Sequence, residues 1–190
     1  MIASMIGTVY QKTTVKSVLL FLVAFIIMQI LLNIGPVGLA KIESIAPGTK
    51  ILDLRFNYSA ADAHETLDKL GSEGRSAYIG LIITDFIYIV VYTGLFLTAL
   101  TLIVRYFFSS AVWLRMILIL PVIGAACDVI ENTVTLVQIG TFPNESLQLY
   151  GVSNGITIIK FVIAFPVTFA VSLGGLAAIV AFVLKKIRKK

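Results

Sequence analysis

The stretch MILILPVIGAACDVIENTVTLVQIGTF (116–142) decides how this chain folds. It is apolar enough and long enough to cross a hydrocarbon layer, which takes about 20 residues. Yet it carries Asp128, Glu131 and Asn132 within five positions, CDVIENT being residues 127–133. At 100° per residue, Gly124, Asp128, Glu131, Asn132, Thr135 and Gln138 fall in one sector of about 120°. A polar stripe that narrow on an otherwise apolar helix must face protein or a wet cavity, because an ionised side chain at mid-bilayer costs about 2.5–3.5 kcal/mol.

The rest of the chain repeats the pattern. It is 58% hydrophobic with a mean hydropathy of +0.99, more apolar surface than 190 residues can hide in a core of their own. Residues 17–40 and 161–184 are each 24 uncharged positions between charged ones, and 86–104 is another 19. The expected fold class is therefore all-α: an integral membrane four-helix bundle forming one transmembrane domain over 1–190, with helices at about 17–39, 77–104, 116–140 and 155–184. The apolar region after Lys16 is too long for a cleaved signal and is expected to stay as a helix.

Orientation follows from lysine and arginine. Lys12, Lys16, Arg105, Arg115 and the tail KKIRKK (185–190) place nine basic residues and no acidic one in three connections, which should lie in the cytoplasm, the cytoplasmic membrane if the host is prokaryotic. The connection 40–76 holds five basic and six acidic residues, and 141–154 holds Glu145 alone. Both are expected outside, with both termini inside. The net charge of +5 then reflects contact with anionic headgroups, and no nucleic-acid partner is expected.

Within the outer loop 40–76, SAADAHETLDKL (59–70) has the marks of an amphipathic helix at about 60–70. Ser59 and Asp62 make a capping box, Ala60, Ala63, Leu67 and Leu70 form a narrow stripe, and Gly71 is placed to end it. The membrane surface is the expected resting place for that stripe, with the mouth of the bundle as the alternative, and His64 falls off it toward solvent. DLRFNY (53–58) is either a lid that folds back or an interfacial belt.

Every span has one polar face. Arg75, Tyr78, Asp85, Tyr88 and Tyr92 share a face on the second, Ser153, Thr157, Lys160, Ala164 and Thr168 on the fourth, and Gln29 and Asn33 are neighbours on the first. Counted at 1.5 Å per residue from the outer ends, Asn33, Asp85, Glu131, Asn132 and Lys160 lie roughly 8–14 Å deep and Asp128 roughly 18 Å. They are expected to meet in a polar pocket opening outward. Asp85, Asp128 and Glu131 against Lys160 leave a surplus of negative charge unless a proton, a cation, or Arg55 or Arg75 from the loop offsets it, and Asp128, the deepest, is the expected proton carrier. Pro166 is expected to kink the fourth helix and Pro121 the third, while Ala170, Gly174 and Ala178 allow close helix approach.

The single cysteine, Cys127, excludes an internal disulfide, and His64 without a cysteine partner leaves no metal signature. No cofactor is expected. Three uses of the pocket compete. It binds a membrane lipid or lipophilic small molecule through Asn33, Arg75, Tyr78, Asp85, Tyr88, Tyr92, Asp128, Glu131, Asn132 and Lys160. Alternatively it is an enzyme on an amphiphilic substrate, with Asp128 or Asp85 as acid, Glu131 as base and Lys160 stabilising negative charge. The third use is proton- or cation-coupled transport, for which a homo-oligomer is the natural form. A purely structural network holding the helices together is the bland alternative.

The layout of four helices, a long first outer loop, an acid in ITDFIYIVVY (83–92), WLR (113–115) before the third helix and a basic tail resembles the sigma-2 receptor and sterol-isomerase (EXPERA) group. That resemblance implies a membrane-buried pocket for sterols or lipophilic amines, with Asp85 as the residue that maps. The group also uses an acid in its first helix, where this chain has Gln29 and Asn33. Separately, D-x-R (53–55), LGSEGRSAY (70–78), Asp85 with Tyr88, and D-x-x-E-N (128–132) resemble a pattern in small prokaryotic membrane proteins, which implies no activity.

Overall fold

The computed structural model describes residues 2–144 and 146–187; Glu145 and the last three basic residues, Arg188 to Lys190, lie outside the described residues. The chain is all-α, with no strand among the described residues. In order come α1 (Ile2–Lys12), α2 (Val15–Ile34), α3 (Leu39–Ile45), α4 (Ala60–Phe107), α5 (Leu120–Thr141) and α6 (Leu147–Ile187), with 3-10 turns at Leu52–Leu54 and Val112–Ile119. Four helical stretches are long and apolar enough to cross a membrane: Val15–Ile45, Ala60–Phe107, Val112–Thr141 and Gln148–Ala181.

The burial pattern is inverted relative to a water-soluble bundle. Ile26, Ile27, Ile30, Ile87, Val90, Val162, Phe165 and Phe169 point outward, whereas Glu131, Asn132, Thr135, Gln138, Ser153 and Thr157 are buried. All six members of the α5 stripe, Gly124 and Asp128 included, face the interior. Helix α2 sits at the edge, packed on α4, while α4, α5 and α6 contact one another pairwise. Two apolar clusters flank the polar middle. One joins the loop residues Ile51, Leu52 and Tyr58 to Leu67, Tyr78, Ile139 and Tyr150; the other gathers Leu100, Leu118 and Val167 against Ile6 and Tyr10.

Local chemistry sets the helix ends. The Ser59 hydroxyl accepts from the Asp62 amide, and the Asp62 carboxylate accepts from the Ser59 amide, closing both sides of a capping box. Gly71, at φ +61°, breaks α4 into residues 60–70 and 72–107, a conformation that only glycine adopts without strain. Ala63, Leu67 and Leu70 of the first piece are buried against the bundle mouth, so the stripe rests on protein and not on the membrane surface. His64, expected to be solvated, stacks on Phe142 at 5.1 Å between centroids.

Of the two prolines expected to kink their helices, Pro121 departs from the expectation. Pro121 lies in the first turn of α5, where its missing N–H breaks no ladder bond. It therefore starts the α ladder, and the residues before it run as the 3-10 turn Val112–Ile119. Pro166 lies inside α6. Farther along, Gly174 brings α6 close to α4, since a Cβ there would stand 2.8 Å from Ile103 Cδ1, while Ala170 of the same small-residue row is exposed. The fourth helix begins at Leu147, earlier than expected, because Ser153 and Asn154 have their side chains engaged by the loop and do not interrupt the helix.

Gly38 marks a close approach of backbone to backbone. It caps α3 with its Cα pressed onto the carboxyl end of α2, where a Cβ would stand 2.7 Å from both the Leu31 and Leu32 carbonyl oxygens. Backbone cannot yield there as a side chain can. Gly38→Ala is expected to destabilise the protein by about 1–3 kcal/mol, the usual range for overpacking. Thermal unfolding in detergent measures it, with Gly7→Ala, inside α1 where nothing lies within 4 Å, as the contrast expected to stabilise by about 0.5–1 kcal/mol.

Candidate functional site

Lys160 on α6 is the centre of the polar interior. Its ammonium donates to Asp128 Oδ1 at 3.0 Å and forms a close ion pair with Glu131 Oε2, and the three side chains are 13%, 12% and 0% exposed. The spacing on α5 explains the pairing: Asp128 and Glu131 lie three residues apart and so share a face, which one ammonium can straddle. Thr157, three residues before Lys160, donates its hydroxyl to Glu131 Oε1, and Tyr92 donates to Asp128 Oδ2 at 2.9 Å. Both Asp128 oxygens thus accept, the hydrogen-bond pattern of an ionised carboxylate. Asp128, the deepest acid and the expected proton carrier, thus has its two oxygens engaged by two other helices.

Asp85 belongs to a second, adjoining pair. Its Oδ2 accepts from Asn132 Nδ2 at 2.8 Å. The pairs 85–132 and 92–128 run in opposite directions along α4 and α5, and 131–157 and 128–160 do so along α5 and α6, so α5 runs antiparallel to both α4 and α6. Tyr88 extends the network toward α2, accepting from Gln29 Nε2 at 2.8 Å while its ring meets Phe25 and Tyr92. Asn33 is exposed and donates only to Gln29, so it touches the network at one remove. Arg75 is not brought in. It donates to the Leu67 carbonyl at 2.8 Å and lies 4.2 Å over the Phe142 ring, holding the end of the 60–70 helix. Tyr78 is buried one layer nearer the loop.

The loop supplies what helical spacing did not reveal. Tyr58 reaches down to donate to Ser153 Oγ at 3.0 Å, its amide donates to Asn154 Oδ1, and Asn154 donates to Asn57. DLRFNY therefore folds back over the end of the bundle. The loop delivers an acid and not an arginine: Arg55 turns away to the Lys50 carbonyl, whereas Asp53 buries Oδ1 beside Tyr78. Four carboxyls, Asp53, Asp85, Asp128 and Glu131, thus surround one ammonium. Ser153 and Thr157 were legible as members of Lys160's stripe; Asp53 had no local signal, being placed by the path of a long loop.

Withdrawal from water pushes Asp53 up to about 7, with the Glu131 carboxylate adding to the rise and the Lys160 ammonium opposing it. Burial likewise raises the Tyr58 hydroxyl. A cavity of about 200 Å³ lies between Pro47–Thr49 and Arg55, Glu65, Thr66 and Lys69, and none of the acid cluster lines it. No group of three or more His, Cys, Asp or Glu suited to a metal ion occurs among the described residues. No family model, curated protein or solved structure matches this chain.

Removing the ammonium while keeping its stem tests the pairing. Lys160→Met is expected to cost about 3–5 kcal/mol, because Asp128 and Glu131 are left buried and unpaired, and adding Asp128→Asn and Glu131→Gln should recover most of the loss. Unfolding of the single and triple variants measures it. The Asp53 carboxyl gives a pH test. An open loop releases that proton near 3.8 and the closed loop near 7, so closure is favoured at low pH and weakens as pH rises between those values. Hydrogen-exchange protection of residues 51–58 should fall across that window in the wild type and stay flat in Asp53→Asn.

Proposed function

We propose that this chain is a four-helix membrane protein with both termini in the cytoplasm, whose polar interior takes the head of a membrane lipid or lipophilic small molecule beneath the folded-back loop. Apolar outward faces on helices of spanning length support the membrane half of this reading. The distribution of lysine and arginine, with Arg105 and Arg115 between two spans and the balanced loop 40–76 at the other end, supports the orientation.

One observation carries the binding half: four carboxyls are gathered round a single ammonium that two of them already occupy. Helix adhesion needs neither the surplus acids nor a loop that adds one more, since asparagine and glutamine suffice. Such a cluster, roofed by Tyr58 and flanked by Tyr88 and Tyr92, offers hydrogen-bonding groups at the bottom and aromatic surface at the side for an amphiphile. The direct pairing of Lys160 with Asp128 and Glu131 favours a second reading, in which the network serves only to fasten α5 to α6. Acid–base turnover and ion-coupled transport would draw on the same groups.

Lipids that copurify with the wild type separate the two readings. Mass spectrometry of the purified protein is expected to find a retained lipid or lipophile whose amount falls at least several-fold in Glu131→Gln and Asp85→Asn, with melting temperature changed by only a few degrees in Asp85→Asn. Unchanged lipid content together with a large loss of stability in both variants would assign the network to fastening alone.

A further inference from the structure

One helical layer nearer the loop than Lys160, the interior holds polar groups that no other side chain satisfies. Two turns carry Asp85 to Tyr78 on α4, Glu131 to Gln138 on α5 and Lys160 to Ser153 on α6, each about 10.5 Å toward the same end. The antiparallel register set by the Asp85–Asn132 and Glu131–Thr157 pairs puts Tyr78 level with Gln138 and Ile139, and Ser153 level with Thr135, one turn below. Ser153 is satisfied there by Tyr58. Tyr78 Oη, both amide atoms of Gln138 and, one turn below, Thr135 Oγ1 are not hydrogen-bonded, although all three residues are 0% exposed. Asp53 Oδ1 closes the layer from the loop, buried and turned toward the Tyr78 hydroxyl, so that these two groups have each other as neighbours whereas Gln138 and Thr135 have none.

Buried polar atoms left unpaired are a few per hundred residues in folded proteins, and a run of them within one turn calls for a partner of matching chemistry. The layer is rich in donors: the hydroxyls of Tyr78 and Thr135 and the two hydrogens of the Gln138 amide. Its acceptors are the Gln138 carbonyl and Asp53. A phosphate is disfavoured, since Asp53 and Glu131 face the layer and Lys160 is already shared between two carboxylates. An ammonium would satisfy Asp53 and leave the donors of Gln138 and Thr135 unpaired.

We propose that Tyr78, Thr135, Gln138 and Asp53 form the seat of the bound amphiphile's head, and that this head is uncharged and carries a donor and an acceptor, as a hydroxyl or carboxamide does. The inference rests on the lipophile reading above and names the ligand class and its location. Lys160 and its two carboxylates are then the floor on which the head rests.

Four probes with one tail and different heads test this on the purified full chain in nanodiscs: oleamide, oleyl alcohol, oleylamine and oleyl phosphate, with saturable binding read by native mass spectrometry. Oleamide and oleyl alcohol are expected to bind at least tenfold more tightly than the charged pair. Gln138→Leu and Thr135→Val should each weaken oleamide about tenfold, the worth of one good hydrogen bond. Both variants should melt no lower than the wild type, because each removes unpartnered polar atoms. Preference for oleylamine or oleyl phosphate, or oleamide binding unchanged in both variants, would overturn the seat while leaving the lipophile reading in place. A large fall in melting temperature in Gln138→Leu would also overturn it, by showing that the amide has a protein partner. Absence of saturable binding by all four probes would remove the lipophile reading and this inference together.

Discussion

The ammonium of Lys160, held between Asp128 and Glu131, is the interaction on which the rest of the structure depends. Three charges taken out of water are tolerable only when each finds an opposite or a hydrogen-bond donor, and the requirement dictates geometry. It sets the rotation of α5 so that its whole polar stripe faces inward, and it sets the register of α6 so that Thr157 reaches Glu131. Tyr92 then has a fixed acceptor in Asp128, which positions α4. Outward-facing valines, isoleucines and phenylalanines impose no comparable demand, since any rotation that leaves them outside serves equally.

Much of this was legible in the residues. The 3.6-residue period put Gly124, Asp128, Glu131, Asn132, Thr135 and Gln138 on one face, and all six are buried. The Ser59 cap and the break at Gly71 also follow from local chemistry, because the capping box and a glycine at positive φ are contained within a few neighbouring positions. What spacing did not convey was anything decided over a long loop. The resting place of the 60–70 helix, the descent of Tyr58 onto Ser153 and the delivery of Asp53 all depend on how some 20 irregular or short helical residues run between Gly35 and Ser59. Arg75 shows the same limit from the other side. It lies on the right face of its helix, but the freed carbonyl of Leu67 ahead of the Gly71 break and the ring of Phe142 are nearer partners than the acid cluster.

Asp128 illustrates what depth alone does not convey about partners. Asp128 is the deepest acid, and it also has partners from two other helices at contact distance, Tyr92 and Lys160. Asp85 and Asp53 have fewer donors and carry the imbalance. The cluster is thus graded, with a well-compensated floor and a less compensated edge toward the loop.

The marginal attachment of α2 has a consequence for how such a chain would be assembled. This helix has the highest mean hydropathy of the four candidate spans, 2.6, and Gln29 is its one side-chain hydrogen bond to another helix among those described. On the membrane reading it can enter a bilayer alone and wait at the side. Helices α5 and α6 cannot, since each exposes unpaired charge until the other arrives. Biogenesis would then require the translocation machinery to release those two as a hairpin, with the first helix serving as a placeholder for the α4 flank.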